Sequence, residues 1–374
     1  MKKGINFNKS SKRPRILIAP LDWGLGHATR CIPIIKALIN EGCEVVIAAD
    51  KKNFFLLKCE FPETVFLRSS GYEIQYSRNK SLFQFKLFLQ APKIIFSILR
   101  EKKWLKKIIN EYSIDAVISD NRFGMYNRKI PCIYITHQLH IKTGNPVTEK
   151  IAQTIHSFFI KKYTACWVPD SKINGLAGEL SHPKKIFQNL FYLGPISRFE
   201  EIKNEEKNYD LLIIISGPEP QRTLFESQIL NQLKTFPGKT FLIRGLPSEK
   251  NCLENFNAVK IKNHLPAKEL NEIIEQSEII ISRSGYTTVM DLAVLTKKAI
   301  LIPTPAQTEQ EYLAKYLLEK QYFFSIEQKN FSLEKAIKAY KSFPYKTVDF
   351  STEEYKKIIH EFVLSLKSLN FASQ

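Results

Sequence analysis

Apolar positions along this chain fall into two alternating rhythms. Short, nearly unbroken runs predict strands buried on both faces: Arg15–Pro20 (RILIAP), Glu44–Ala49, Ala116–Ser119, Cys132–Thr136 and Ala165–Pro169. Ala28–Asn40, between the first two, has helical spacing. The second half repeats the rhythm, with strands Asp210–Ser216, Thr240–Arg244, Glu278–Ser282 and Ala299–Ile302. Helices Arg222–Lys234, Lys268–Gln276, Thr288–Leu295 and Gln310–Lys320 follow them in turn. Such alternation predicts two doubly wound α/β domains, each a parallel sheet covered on both faces, with a cleft between them. The polar stretch Arg198–Asn208 (RFEEIKNEEKN), just after Gly194 and Pro195, reads as the connection. The expected organisation is thus a first domain over 1–197, a linker over 198–208 and a second domain over 209–347. A last helix, about Thr352–Leu369 within 348–374, is expected to pack back toward the first domain.

Composition adds an asymmetry. The 374 residues include 55 Lys and Arg against 37 Asp and Glu, for a net charge of +18. Residues 1–198 hold 32 basic and 14 acidic residues, so the entire excess lies in the first half. The densest stretch is 78–107, with nine basic residues against Glu101 alone, interleaved with Phe, Leu, Ile and Trp. Such a segment suits an anionic membrane interface, where each Lys or Arg near the surface contributes roughly 1 kcal/mol. One or two core helices with a solvated basic face are the plainer alternative. No zinc-finger or RNA-recognition pattern accompanies the charge, so nucleic acid is not an expected partner. The six cysteines are scattered without C-x-x-C or metal-ligand spacing, which argues against a disulfide scaffold or structural zinc. No apolar run approaches the ~20 residues of a spanning helix. Ile16–Leu21 is too short for a signal peptide, and a cytoplasmic protein is expected, either free or peripheral on the cytoplasmic face of the inner membrane.

Four segments carry candidate chemistry. Leu21–Arg30 (LDWGLGHATR) joins the first strand to the first helix, and Gly24 and Gly26 allow a sharp turn exposing N–H groups. It lacks the third glycine of the dinucleotide fingerprint. His27 at its mouth titrates near neutrality and suits a general base, or it caps the helix. Ser282–Ala293 (SRSGYTTVMDLA) is again strand, glycine turn and helix. Ser284, Gly285, Tyr286, Thr287 and Thr288 would offer amides and hydroxyls to a diphosphate, and Asp291 lies one turn further on. In Pro303–Ala314 (PTPAQTEQEYLA), Gln307, Gln310 and Glu311 either read sugar hydroxyls or cap a helix. In Ser216–Arg222 (SGPEPQR), Arg222 is available to a phosphate.

The run SRSGYTTVMDLAVLTKKAILIPTPAQTEQEYLAKYL resembles the donor-binding region of family 28 glycosyltransferases over about 55 residues. WGLGHATR is similar to that family's N-terminal glycine loop, and Gly194-Pro195 falls where the family joins its domains. The resemblance implies a GT-B fold, two Rossmann-like doubly wound domains facing a cleft, the first for an acceptor and the second for a nucleotide sugar. It implies that Asp291 holds the ribose and that Gln310 with Glu311 contacts the donor sugar. By the same resemblance, Ser284 to Thr288 form the diphosphate turn. The loop Asn263–Pro266, with His264 and Leu265, would contact uracil through its main chain, and His27 would stand near the reaction centre. The chain departs from the family in having Asp291 for a usual Glu, Glu311 for a second Gln, and Ser-Gly-Pro-Glu-Pro for a Gly-Gly-Ser loop.

The expected activity is an inverting transfer of a hexose or N-acetylhexosamine from a UDP-sugar to a lipid-linked or glycolipid acceptor. No D-x-D motif occurs, so no metal or other cofactor is expected. The helix N-terminus after Ser282, with Arg222 or Arg283, would balance the diphosphate. His27 is the first candidate base and Asp120 (VISDNRFG) its partner or alternative. His137 and His140 (ITHQLH) are candidates to line the acceptor cleft. A UDP-sugar 2-epimerase and a non-enzymatic membrane or polyanion binder are the competing readings.

Overall fold

The computed structural model describes residues 13–372 except 23, 70, 72–79, 184–188, 203–205, 348–349 and 351; the side chains of 80–91 and 369–372 also fall outside the description. In the first half β1 (Arg15–Pro20), α1 (Gly26–Asn40), β2 (Glu44–Ala48), α2 (Lys51–Glu60) and β3 (Val65–Leu67) are followed by a long helix, α3 (Lys80–Tyr112). Then come β4 (Ala116–Asp120), β5 (Cys132–Ile135), α4 (Pro146–Ile160), β6 (Ala165–Val168) and β7 (Leu190–Tyr192). Among the described residues these strands form one parallel sheet in the order β3-β2-β1-β4-β5-β6-β7.

The second half builds β8 (Tyr209–Ile214), α5 (Gln221–Leu233), β9 (Thr240–Ile243), β10 (Val259–Lys262), α6 (Ala267–Glu275) and β11 (Ser277–Ser282). It continues with α7 (Tyr286–Val294), β12 (Ile300–Leu301), α8 (Thr308–Glu319), β13 (Phe324–Ser325), α9 (Leu333–Ser342) and α10 (Glu354–Ala372). Its sheet, also parallel, runs β10-β9-β8-β11-β12-β13. Both domains are therefore doubly wound, with the strand order reversing beside β1 and beside β8.

Alternation along each strand assigns the faces. Ile16 and Ile18 of β1 pack under α1, whereas Leu17 and Ala19 pack with Leu105 and Ile108 of α3. In β8, Leu212 faces the layer of α6 and α7, and Leu211 and Ile213 face that of α5 and α9. The α1 and α7 layers belong to one continuous core that bridges the domains and takes in Ile359, Val363 and Leu366 of α10. That last helix lies on α1, with Phe362 edge-on to Trp167 at 5.4 Å and His360 2.9 Å from Glu41.

The expected basic amphipathic segment is one helix, α3, with Pro92 inside it; residues 78–79 lie outside the description. The one acid within 78–107 is not solvated. Glu101 is buried, paired with Arg122 at 2.8 Å and accepting from the Gly124 amide at 3.0 Å. The exposed side of α3 keeps Ile95, Phe96 and Leu99 among Lys93, Arg100, Lys102 and Lys103. No described helix is long and apolar enough to cross a membrane.

Candidate active site

A strand order that reverses leaves a crevice at the carboxyl ends of the two strands flanking the reversal. In the first domain those strands are β1, which runs into the glycine loop, and β4, which ends at Asp120. The Leu21 amide donates to the Asp120 carbonyl at 3.0 Å, closing the gap between them. Gly24 has φ +86°, a left-handed conformation that a side chain disfavours, and it turns the chain into α1. His27 then sits on the first turn, with Nδ1 3.2 Å from each carboxylate oxygen of Asp120.

Arg30, one turn further along α1 and 2% exposed, fills the same space. Its Nε donates to Asp120 Oδ2 at 2.7 Å, one terminal nitrogen donates to Asp120 Oδ1 and to His27 Nδ1 (2.7 Å), and the other donates to His137 Nδ1 at 2.9 Å. Burial opposes the charge on Asp120, but Arg30 and then His27 outweigh it and bring the carboxyl down to about 2. Burial draws the His27 imidazole below its ordinary value, with Asp120 opposing and Arg30 assisting. His27 is therefore neutral at pH 7.

The second domain repeats the plan at β8 and β11. Beyond β11, Ser284 is buried and its hydroxyl donates to the Gln310 carbonyl at 2.9 Å. Gly285 precedes α7, where no side chain caps the first turn, and the space a Cβ would enter there is open. Tyr286 is 3% exposed; it donates to the Pro169 carbonyl at 2.9 Å, and its ring stacks on His137 at 4.2 Å. Thr287 donates across the cleft to the Gly26 carbonyl at 3.0 Å. The amino ends of α1 and α7 thus meet, and both direct partial positive charge into the same gap.

Other expected site residues lie apart from that gap or are already engaged. Arg222 is 4% exposed and is held by Glu219 (2.5 Å), Glu226 and the Arg244 carbonyl. Arg283 is 1% exposed, lies 4.1 Å over the Phe225 ring and donates to Gln328 and the Gln221 carbonyl. Phe225 belongs to the α5 layer, on the opposite face of the sheet from α7. In this arrangement acidic partners engage Arg222 and ring packing engages Arg283. Burial pushes the Arg283 guanidinium down to about 9.

Asp291 is 4% exposed, and linker residues hold its carboxylate. Ser197 donates to Oδ1 at 2.7 Å and Arg198 lies 3.5 Å from Oδ2. Burial raises its pKa, with Arg198 and Ser197 opposing. Burial and then Arg198, the residue that also stands beside Asp291, depress His264 to about 4. Leu265 turns into the core. Gln310 accepts from the Thr304 amide (2.9 Å) and donates to Gln307 (2.5 Å), while Glu311 accepts from the Ala306 amide (3.0 Å). These three side chains brace the turn that precedes α8, whose N-cap residue Gln307 makes no side-chain cap bond. Thr288 and the His140 ring are half-buried.

Sequence reading missed Arg30, Glu309 and the Ser197–Arg198 pair. Glu309 lies on α8, yet it meets the first domain, accepting from His137 Nε2 at 2.6 Å. An arginine inside a helix otherwise buried from Ala28 to Ile35 was the available signal for the first. Nothing local marks the others, whose partners come from the opposite domain. Among the described residues no three His, Cys, Asp or Glu side chains are grouped to hold a metal ion.

Residues 240–362 match the glycosyltransferase family 28 C-terminal domain. The UDP-N-acetylglucosamine--N-acetylmuramyl-(pentapeptide) pyrophosphoryl-undecaprenol N-acetylglucosamine transferase of Glaesserella parasuis is 24% identical over 84% of this chain and 85% of its own. Among solved structures, MurG of Acinetobacter baumannii superposes with a TM-score of 0.51 at 13% identity, covering 96% of this chain and 95% of that one. The calicheamicin glycosyltransferase CalG4 superposes with a TM-score of 0.60 at 10% identity over 95% of each chain. The fold is that of the GT-B glycosyltransferases. The chain is a glycosyltransferase whose second half is similar to family 28, and over most of its length it resembles the Glaesserella transferase named above.

Proposed function

We propose that this enzyme transfers a hexose or N-acetylhexosamine from a UDP-sugar to a lipid-linked or glycolipid acceptor, with inversion at the anomeric carbon. The observation that carries the reading is the meeting of the α1 and α7 amino ends, marked by Thr287 on Gly26, beside His27 and Asp120. A diphosphate in that gap would take hydrogen bonds from the first-turn amides of α7 and feel both helix dipoles, so charge developing on the leaving group needs no arginine. Asp291 would serve the ribose, and His27 would take the proton from the acceptor hydroxyl. For that step Nδ1–H must face Asp120 and Nε2 must be bare.

The acceptor's class rests on the surface of the first domain. On α4, Val147, Ile151, Ile155 and Phe158 are exposed and fall at helical spacing along one stripe. Lys150 and Lys161 stand exposed beside them, and Lys162 lies 4.4 Å over the Phe158 ring. Ile95, Phe96 and Leu99 are likewise exposed on α3 among Lys93, Arg100, Lys102 and Lys103, and exposed apolar groups flanked by cations have the chemistry that suits an anionic lipid surface. The relative from Glaesserella is named for a pyrophosphoryl-undecaprenol substrate, which fits such a surface.

Calorimetric titration with UDP, UDP-GlcNAc, UDP-glucose and UDP-galactose, with dTDP and GDP as controls, tests the donor. Micromolar binding restricted to uridine nucleotides is expected. Tighter binding of dTDP or GDP would overturn the choice of nucleotide.

A further inference from the structure

We infer that Arg30 is the positioning residue that decides which ring nitrogen of His27 carries the proton, and that Glu309 of the opposite domain, acting through His137, ties that decision to domain closure. This deepens the proposed role of His27 and rests on it.

The argument is one of donors and acceptors. A guanidinium only donates, and it stays charged in proteins. Its bond to His27 Nδ1 at 2.7 Å is shorter than the 3.2 Å separating that nitrogen from the Asp120 oxygens. Nδ1 must then present a lone pair, and the neutral ring keeps its hydrogen on Nε2. A ring in that state can donate into the cleft but cannot accept the acceptor's proton. His137 obeys the same logic: Nδ1 accepts from Arg30, so Nε2 carries the hydrogen that it gives to Glu309. The hydrogens therefore run in one consistent direction, from Arg30 to Asp120, from Arg30 to His27, and from Arg30 through His137 to Glu309.

Two features make this a control point. First, Asp120 and Arg30 compete for the same nitrogen, so a modest rotation of the guanidinium exchanges the two tautomers. Second, Glu309 stands on α8 of the second domain, so the His137 arm is complete only when the cleft is closed. The charged and titratable groups facing His27 are Asp120 from β4, Arg30 from its own helix, His137 beyond β5 and Glu309 from α8. Burial works against the charge of Glu309, but His137 outweighs it and keeps the carboxyl low, so its acceptor role persists at neutral pH.

Histidine side-chain nitrogen NMR on the full-length protein reads the assignment directly, without an acceptor or a working assay. The wild type is expected to show His27 and His137 as Nε2–H tautomers. Arg30→Gln is expected to move the His27 hydrogen to Nδ1 and to raise its pKa by about one unit, since a neighbouring positive charge is removed. Arg30→Lys keeps the charge and the Asp120 pair, and is the variant to use should Arg30→Gln fail to fold. It should hold the low pKa but lose the fork, and with it the Nε2–H preference. In Glu309→Ala, whose carboxylate is 34% exposed in the parent, the His137 tautomer should become mixed and the His27 signals should shift. A wild-type His27 found as Nδ1–H, or one unmoved by either Arg30 substitution, overturns the inference. Unmoved histidines in Glu309→Ala overturn its interdomain arm. A protein that shows this pattern but binds no nucleotide would refute the donor reading instead, so the two failures are distinguishable.

Discussion

Thr287 and Gly26, 261 positions apart in sequence, share a hydrogen bond of 3.0 Å between the hydroxyl of one and the carbonyl of the other. It joins the first turn of α7 to the first turn of α1, so the glycine loops of both domains are set edge to edge. A Cβ on Gly26 would come within 3.2 Å of that hydroxyl, which fixes how near the domains approach.

Removing the hydroxyl at nearly constant shape tests what the contact does. Thr287→Val leaves the Gly26 carbonyl without this donor, at a cost of about 1 kcal/mol. If donor binding needs the closed cleft, affinity for a UDP-sugar should fall about fivefold while the melting temperature barely moves. Calorimetry and a thermal scan on the same samples decide it, and unchanged affinity would separate closure from donor binding.

Asp120 carries a pH signature. Its folded pKa, about 2, lies below the ordinary 3.8, so its contribution to stability is complete above pH ~4 and is lost as pH falls through about 2. The loss should reach about 1 kcal/mol by pH 3. Asp120→Asn lacks this carboxylate, so its stability deficit relative to wild type should narrow by that amount between pH 5 and pH 3 in urea titrations. A constant deficit would mean that Arg30 does not depress the group.

Much of this was legible beforehand. Strands such as β1 and β8 announce themselves because a strand buried on both faces is apolar throughout, and the glycines of both loops mark where the chain must turn. What escaped were short edge strands: β3 and β13 have only half-buried side chains and lack the continuous apolar signal. The helix α9 at Leu333–Ser342 escaped too, for its buried residues are few. Site chemistry divided in the same way. His27 and Asp120 each terminate or begin an element and were picked out. Arg222 and Arg283 drew attention as cations beside a diphosphate turn, because sequence shows a charge without showing Glu226 or Phe225 waiting to receive it.

Those two arginines give a clean test. Arg283→Met keeps a long apolar stem over Phe225 and removes a charge that burial already disfavours. UDP affinity is expected to stay within about twofold, since a twofold change, about 0.4 kcal/mol, is below what a lost phosphate contact costs. A tenfold loss would return Arg283 to the diphosphate.

The apolar stripe on α4 predicts membrane behaviour. Ile151→Glu with Phe158→Glu places two carboxylates on exposed positions, where folding should be little affected. Sedimentation with vesicles containing anionic lipid should fall at least about tenfold, and UDP binding should be unchanged. Wild-type binding should also weaken with salt as the lysine rim is screened. Equal sedimentation of the two proteins would remove the membrane from the proposal.

The sharpest prediction concerns Asp291, because its carboxylate has two claims on it. In the present arrangement Ser197 holds Oδ1 and Arg198 stands by Oδ2. If ribose hydroxyls are to be bound there, at least one linker contact must yield, and the energy of that exchange is subtracted from donor affinity. Ser197→Ala removes the competitor and leaves the carboxylate in place, so UDP should bind a few-fold more tightly, the equivalent of about 1 kcal/mol. Asp291→Ala should instead lose UDP binding by tenfold or more and lower the melting temperature, since Arg198 keeps a buried charge without its partner. Opposite shifts in the two variants identify Asp291 as a ribose ligand drawn from the hinge. Equal, small losses in both would mean that the carboxylate serves only to pin the linker to α7, and that the ribose is held elsewhere.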